Sequence, residues 1–161
     1  MRILILEDNA ERRTVMLEHL AHRFPMFAVT FFDSSDRMIR SIEQGRLKDV
    51  IAISLDNDLE PLGYSEGRAI DAGDGLAVMK SLLRLFPHGR NDDDYAVPVL
   101  IHSTNGPAAE SMVEQLLSCG WHVSRVVPYD AENWIGEIWI QKMQRLIITN
   151  VTDVRAMSAR Q

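Results

Sequence analysis

The sequence predicts an α/β domain, a parallel sheet of five strands with helices on both faces. Three observations predict it. Short apolar runs recur at residues 2–6, 27–32, 49–55, 97–103 and 121–127. The segments between them carry apolar residues at helical spacing. Three of the runs stop abruptly on polar, chemistry-bearing residues, as strands do when a ligand sits at their carboxyl ends. Strands that alternate with helices make a parallel sheet covered on both sides.

The first run, RILIL at 2–6, is continuously apolar and breaks at Glu7-Asp8-Asn9, which reads as a buried parallel strand. Asp8 or Asn9 caps a helix over 10–23 with Val15, Met16, Leu17 and Leu20 on one stripe, and Pro25 ends it. FAVTFF at 27–32 is aromatic and β-branched, a second strand. Asp33-Ser34-Ser35 caps a helix with Met38, Ile39 and Ile42, closed by Gly45. DVIAISL at 49–55 is the third strand and ends on Asp56-Asn57-Asp58. Residues 57–73, with Pro61, Gly63, Gly67 and Gly73, read as a long irregular connection, a length that is often functional.

Gly75-Leu76 opens a helix bearing Met79, Leu82, Leu83 and Phe86, and a polar acidic loop follows at 87–96. VPVLIHS at 97–103 is the fourth strand. Asn105-Gly106-Pro107 starts a helix with proline in its first turn and Met112, Leu116 and Leu117 on its apolar face. WHVSRVV at 121–127 alternates as a fifth strand, and residues 131–148 form a last helix with Trp134, Ile135, Ile138, Trp139 and Leu146. The domain is expected to span 1–148, with 149–161 a polar tail. Right-handed crossovers then favour the flavodoxin-like, doubly wound order 2-1-3-4-5 in a three-layer αβα stack.

The chain has 161 residues, 46% of them hydrophobic and 25% charged, enough for one ordinary core. Its formal charge is −6 and it has no basic stripe, which argues against duplex nucleic acid as a partner. Arg12, Arg13 and Arg23, and the run Asp92-Asp93-Asp94, read as solvated surface. A single cysteine, Cys119, excludes an intrachain disulfide and reads as an inert buried thiol. No run approaches a membrane span and the N-terminus lacks a signal-peptide core, so a cytoplasmic location is expected.

The expected topology brings Glu7-Asp8, Asp56-Asn57-Asp58 and His102-Ser103-Thr104-Asn105 to one rim. Carboxylates so close cannot all ionise cheaply, and a divalent cation with oxygen ligands relieves their repulsion. The alternative is that these residues only cap the helices that follow them. Asn105 and the first amides of its helix suit a phosphate, or Asn105 is simply a cap. His102 titrates near neutral pH and suits proton transfer, or it is a core histidine satisfied by the backbone. Arg68 among glycines is a candidate anion clamp or a solvated charge.

The acidic pair after the first strand, the Asp after the third, Asp74-Gly75 at a helix start and Ser103 ending the fourth strand resemble response-regulator (CheY-like) receiver domains. By that resemblance Glu7 and Asp8 bind Mg²⁺, Asp56 accepts a phosphoryl group from a histidine kinase, and Ser103 contacts that group. Receivers carry a lysine before the proline that follows the fifth strand; here Val127 precedes Pro128. Arg125 lies on the same strand face, nearer the strand middle. Leu55-Asp56-Asn57-Asp58-Leu59 and Ile101-His102-Ser103-Thr104-Asn105, followed by Met112, resemble more closely the cyclic-phosphate processing receiver domains. That resemblance implies action on cyclic or terminal phosphates of a small molecule or a nucleic-acid end. The expected site is therefore Asp56, His102 and Ser103 as catalytic residues. Glu7, Asp8, Asp56 and Asp58 would hold Mg²⁺ or Mn²⁺, and Ser103, Thr104 and Asn105 would contact phosphate. The runner-up is a stand-alone receiver phosphorylated on Asp56. Oligomeric state is not legible.

Overall fold

The computed structural model describes residues 1–158, with side chains through residue 150. Five parallel strands form the central sheet: β1 (Arg2–Leu6), β2 (Ala28–Phe32), β3 (Val50–Leu55), and, after an inserted hairpin β4 (Gly63–Ser65) and β5 (Arg68–Ile70), β6 (Val99–His102) and β7 (Val123–Val126). Their order is β2-β1-β3-β6-β7, the expected 2-1-3-4-5 once the hairpin is set aside. Helices α1 (Ala10–Arg23), α2 (Ser35–Gly45), α3 (Gly75–Leu85), α4 (Gly106–Ser118) and α5 (Ile140–Ser158) cover the two faces.

The strands are apolar on both sides because each face meets a helix layer. One core gathers Leu4, Leu6, Ile53, Leu55 and Ile101 with Met38, Met79 and Met112 from α2, α3 and α4. The other gathers Ile3, Ile5 and Leu100 with Met16 and Leu20 of α1 and Trp134, Trp139 and Met143 near the C-terminus. Among the described residues no helix is long and apolar enough to cross a membrane.

Several local expectations are corrected. The 57–73 connection is not irregular throughout: β4 and β5 pair antiparallel across Glu66-Gly67, both at positive φ, as a tight hairpin turn requires. Its base is pinned where Asp58 bridges to Asp74. Gly45 is the last residue of α2, and the left-handed cap is Arg46 at φ 48°. Residues 135–139 form a π-helical turn ahead of α5. Trp134 and Trp139, five apart, both face the core because the wider i→i+5 turn between them brings Trp139 round to the side of Trp134, and Ile138 is left exposed. Cys119 caps α4 and is half-buried. Helix α5 runs past the expected boundary at 148; residues 159–161, and the side chains from 151 on, of the expected tail lie outside the described residues.

Candidate functional site

Register and strand parity together build the site. Leu6 pairs with Leu55, and Leu55 pairs with Ile101, so the next residues, Glu7, Asp56 and His102, end three neighbouring strands at one level. Side chains alternate along a strand. Glu7 therefore follows Ile3 and Ile5, and His102 follows Leu100, onto the α1/α5 face, where Ser54 also points. Carboxylate and imidazole atoms of Glu7, Asp56 and His102 lie within 4.8 Å of one another.

His102 is fully buried and bonded at both nitrogens. Nδ1 is 2.9 Å from Ser54 Oγ and Nε2 is 3.2 Å from Glu7 Oε2. Ser54 Oγ in turn accepts from Trp139 Nε1 at 3.0 Å, and the His102 ring stacks on Trp134 at 5.7 Å. Glu7 Oε1 accepts the Asn9 amide at 3.0 Å, which fixes the backbone on either side of Asp8. A polar chain thus runs from Trp139 through Ser54, His102 and Glu7 to the turn that carries Asp8. Burial alone would raise the Glu7 carboxyl. The His102 hydrogen bond and charge, the Asn9 amide and Arg12 outweigh it and hold Glu7 below its ordinary 4.5.

In front of this chain opens a cleft of about 310 Å³ lined by Asp8, Asn9, Arg12, Asp56, Asp58, Glu60, Thr104 and Pro128. Asp56 forms its floor at 5% exposure. Burial pushes the Asp56 carboxyl up from 3.8 to about 6; the charge of His102 opposes the rise, Glu7 adds to it, and the amides of Asp58 and Asn57 oppose it again. Asp58 is exposed; its Oδ1 accepts from Asn57 Nδ2 at 2.8 Å and from Asn105 Nδ2 at 3.1 Å. Asp8 Oδ2 accepts the Glu60 amide at 2.5 Å. Asn105 caps α4 through the Ala108 amide at 3.3 Å, so the cap and the link to Asp58 share one side chain. Ser103 is buried, and its Oγ accepts the Asn105 amide at 3.1 Å. Thr104 is exposed at the cleft.

Asp8, Asp56, Asp58 and Thr104 therefore meet at one opening, with Asn105 reaching Asp58 at its edge. Glu7 and His102 stand behind it, sealed from solvent. Arg68 is exposed on β5. Arg125 pairs with Glu110 of α4 at 3.1 Å, and Val127 is 52% exposed.

Sequence reasoning missed the roles of four residues. Arg12, read as surface, enters the cleft with Nη1 3.5 Å from Asp56 Oδ2 and 3.8 Å from Glu7 Oε2. Its signal was its place one turn after the Glu7-Asp8 break. Ser54 was the single polar residue inside VIAISL, and a buried hydroxyl needs a partner. Trp139 supplies the donor at the far end of the chain. Gly75, singled out only as a helix start, has a steric role. A Cβ there would lie 2.2 Å from the Asp56 carbonyl oxygen, so only glycine lets α3 dock against the Asp56 turn.

The donor set fits a hard divalent cation: carboxylate oxygens on a mouth whose buried member is pushed toward protonation, chiefly by burial and further by Glu7. Comparison with known proteins follows the same lines. Among solved structures, the phosphorylated cyanobacterial phytochrome response regulator RcpA superposes with TM-score 0.63 at 15% identity, covering 91% of this chain and 93% of that one. The response regulator domain of Thermotoga maritima CheB gives 0.61 at 13% identity, with 94% and 96% covered. NtrX from Brucella abortus gives 0.61 at 17% identity; 99% of this chain matches, but it spans only 30% of NtrX. These likenesses show the CheY-like receiver fold. No curated protein matches the sequence. Residues 2–118 match the family described as the cyclic-phosphate processing receiver domain, and the chain belongs to that family.

Proposed function

We propose that this chain binds Mg²⁺ or Mn²⁺ at the cleft and acts on phosphate esters, cyclic or terminal, carried by a small molecule or a nucleic-acid end. The observation that carries this reading is the convergence of Asp8, Asp56 and Asp58 on one opening beside the first turn of α4. Asp8, Asp56 and Asp58 would hold the ion. When bound, it supplies Lewis acidity and lowers the pKa of water.

The remaining work falls to the chain's own residues. Thr104 and the Gly106 amide at the start of α4 favour phosphate oxygens, since a helix N-terminus has a positive dipole end; Pro107 has no N–H and the Ala108 amide is taken by Asn105. Asn105 ties that turn to Asp58, and Ser103 holds the Asn105 amide. His102 acts as a positioning residue: it fixes Glu7, which fixes the backbone around Asp8. Turnover of 2′,3′-cyclic nucleotides and of phosphate monoesters with Mg²⁺ or Mn²⁺, abolished in Asp56→Asn, is the expected result. No turnover of any such ester with either metal overturns the reading.

One observation favours a second reading, a receiver phosphorylated on Asp56 by a histidine kinase or a small phosphodonor. Asp56 ends β3 at the floor of the cleft, reachable by a phosphodonor from the mouth. Intact mass after incubation with acetyl phosphate and Mg²⁺ separates the two. Gain of one phosphoryl group, absent in Asp56→Asn, selects the second reading.

A further inference from the structure

We infer that Arg12 is the cation that receives the phosphate oxygens of the ligand in this cleft. The inference rests on the reading of the cleft as a phosphate site and names the residue that supplies its positive charge. Of the side chains lining the cleft, Arg12 alone is basic. The other basic residue near this rim, Arg125, is drawn away onto Glu110, and the position before Pro128 carries an exposed valine.

Arg12 is held but not spent. Its Nη1 sits 3.5 Å from Asp56 and 3.8 Å from Glu7, both longer than the ~2.7–3.2 Å of an N–H···O hydrogen bond. Its Nε is buried with no partner. A guanidinium has five N–H donors in a planar fork that matches the edge of a phosphate. The group lies 5.9 Å over the Trp134 ring, which limits where it can turn, and its side chain is 28% exposed, so it reaches the mouth. An anion entering from the mouth meets donors whose hydrogen bonds are unmade, next to carboxylates that the guanidinium only loosely compensates.

This assignment separates two effects in one substitution. Arg12→Gln removes the phosphate's partner and also removes a cation that competes with a metal for Asp56. Phosphate binding should weaken while Mg²⁺ binding holds or tightens. A residue that merely supported the fold would weaken both.

The test is calorimetric titration of the full chain with inorganic phosphate and, separately, with Mg²⁺, for wild type, Arg12→Gln and Arg12→Lys. The expected result is a phosphate Kd raised about tenfold or more in Arg12→Gln, largely restored in Arg12→Lys, with Mg²⁺ affinity equal to or above wild type in Arg12→Gln. Arg12→Gln binding phosphate as wild type does overturns the assignment alone. Parallel loss of phosphate and Mg²⁺ binding together with a lowered Tm also overturns it. Wild type that binds no phosphate, with or without Mg²⁺, overturns both the assignment and the phosphate reading on which it rests.

Discussion

Glu7 Oε2 lies 3.2 Å from His102 Nε2, and neither side chain is exposed to solvent. Ninety-five positions apart in sequence, the two residues meet because β1 and β6 flank β3 in register. Removing one partner of such a buried pair leaves the other without compensation, and that loss exceeds the net value of the pair itself. His102→Ala is therefore expected to cost about 3–5 kcal/mol of unfolding free energy at pH 7.5. Glu7→Gln with His102→Gln should cost less than the sum of the two single changes. Urea unfolding of wild type, His102→Ala, the two single glutamine variants and their double variant checks it; a His102→Ala cost under about 1 kcal/mol means that the pair does not organise the site.

Asp56 works against folding once it ionises. Its folded carboxyl titrates at about 6 against 3.8 in the open chain, so the folded state binds the extra proton between these values. Stability from this group is intact below pH 4 and falls as pH rises toward 6, by on the order of 3 kcal/mol. Glu7 acts oppositely, since its lowered carboxyl adds stability above its ordinary 4.5 that is lost as pH falls. With chelator present, Asp56→Asn should raise Tm at pH 7.5 and lose that advantage near pH 4. Equal Tm values for mutant and wild type across this range would show that the Asp56 carboxylate is not strained.

A divalent cation should reverse that strain. Mg²⁺ or Mn²⁺ at 100 times its Kd stabilises the folded state by about 2.7 kcal/mol through mass action. Thermal unfolding with and without the metal should show a clear rise in wild type and little in Asp56→Asn or Asp58→Asn. Ca²⁺-, Mg²⁺- and Mn²⁺-independent Tm in wild type would count against a metal at the cleft.

Gly75→Ala tests the contact between α3 and the Asp56 turn. Its Cβ would sit 2.2 Å from one backbone atom and 3.0 Å from another, neither able to rotate away. The expected cost is about 1–3 kcal/mol, with weakened Mg²⁺ binding as Asp56 shifts. An unchanged urea midpoint would show that the helix simply moves aside.

The sequence alone determined the alternation of strands and helices, the strand order and the rim on which the acids gather. These follow from short apolar runs alternating with period-3.6 stripes and from chain connectivity. It also marked Asp8, Asp56, Asp58 and Thr104, because each stands within three residues of a strand's carboxyl end. Tertiary structure decided the depth of each group. Glu7 is an acid like its neighbour Asp8, and His102 is as polar as Thr104, yet parity turns Glu7 and His102 inward under Trp134 and Trp139, where partners replace water. Arg12 looked like one of several surface arginines until α1 packed against the sheet and brought it to Asp56. The hairpin at 63–70 and the π turn at 135–139 escaped for a related reason: short elements held by a pinned base or by aromatic packing carry too little periodicity to announce themselves. Exposure and pairing depend on which residues meet across the sheet, and that is set by the folded chain as a whole.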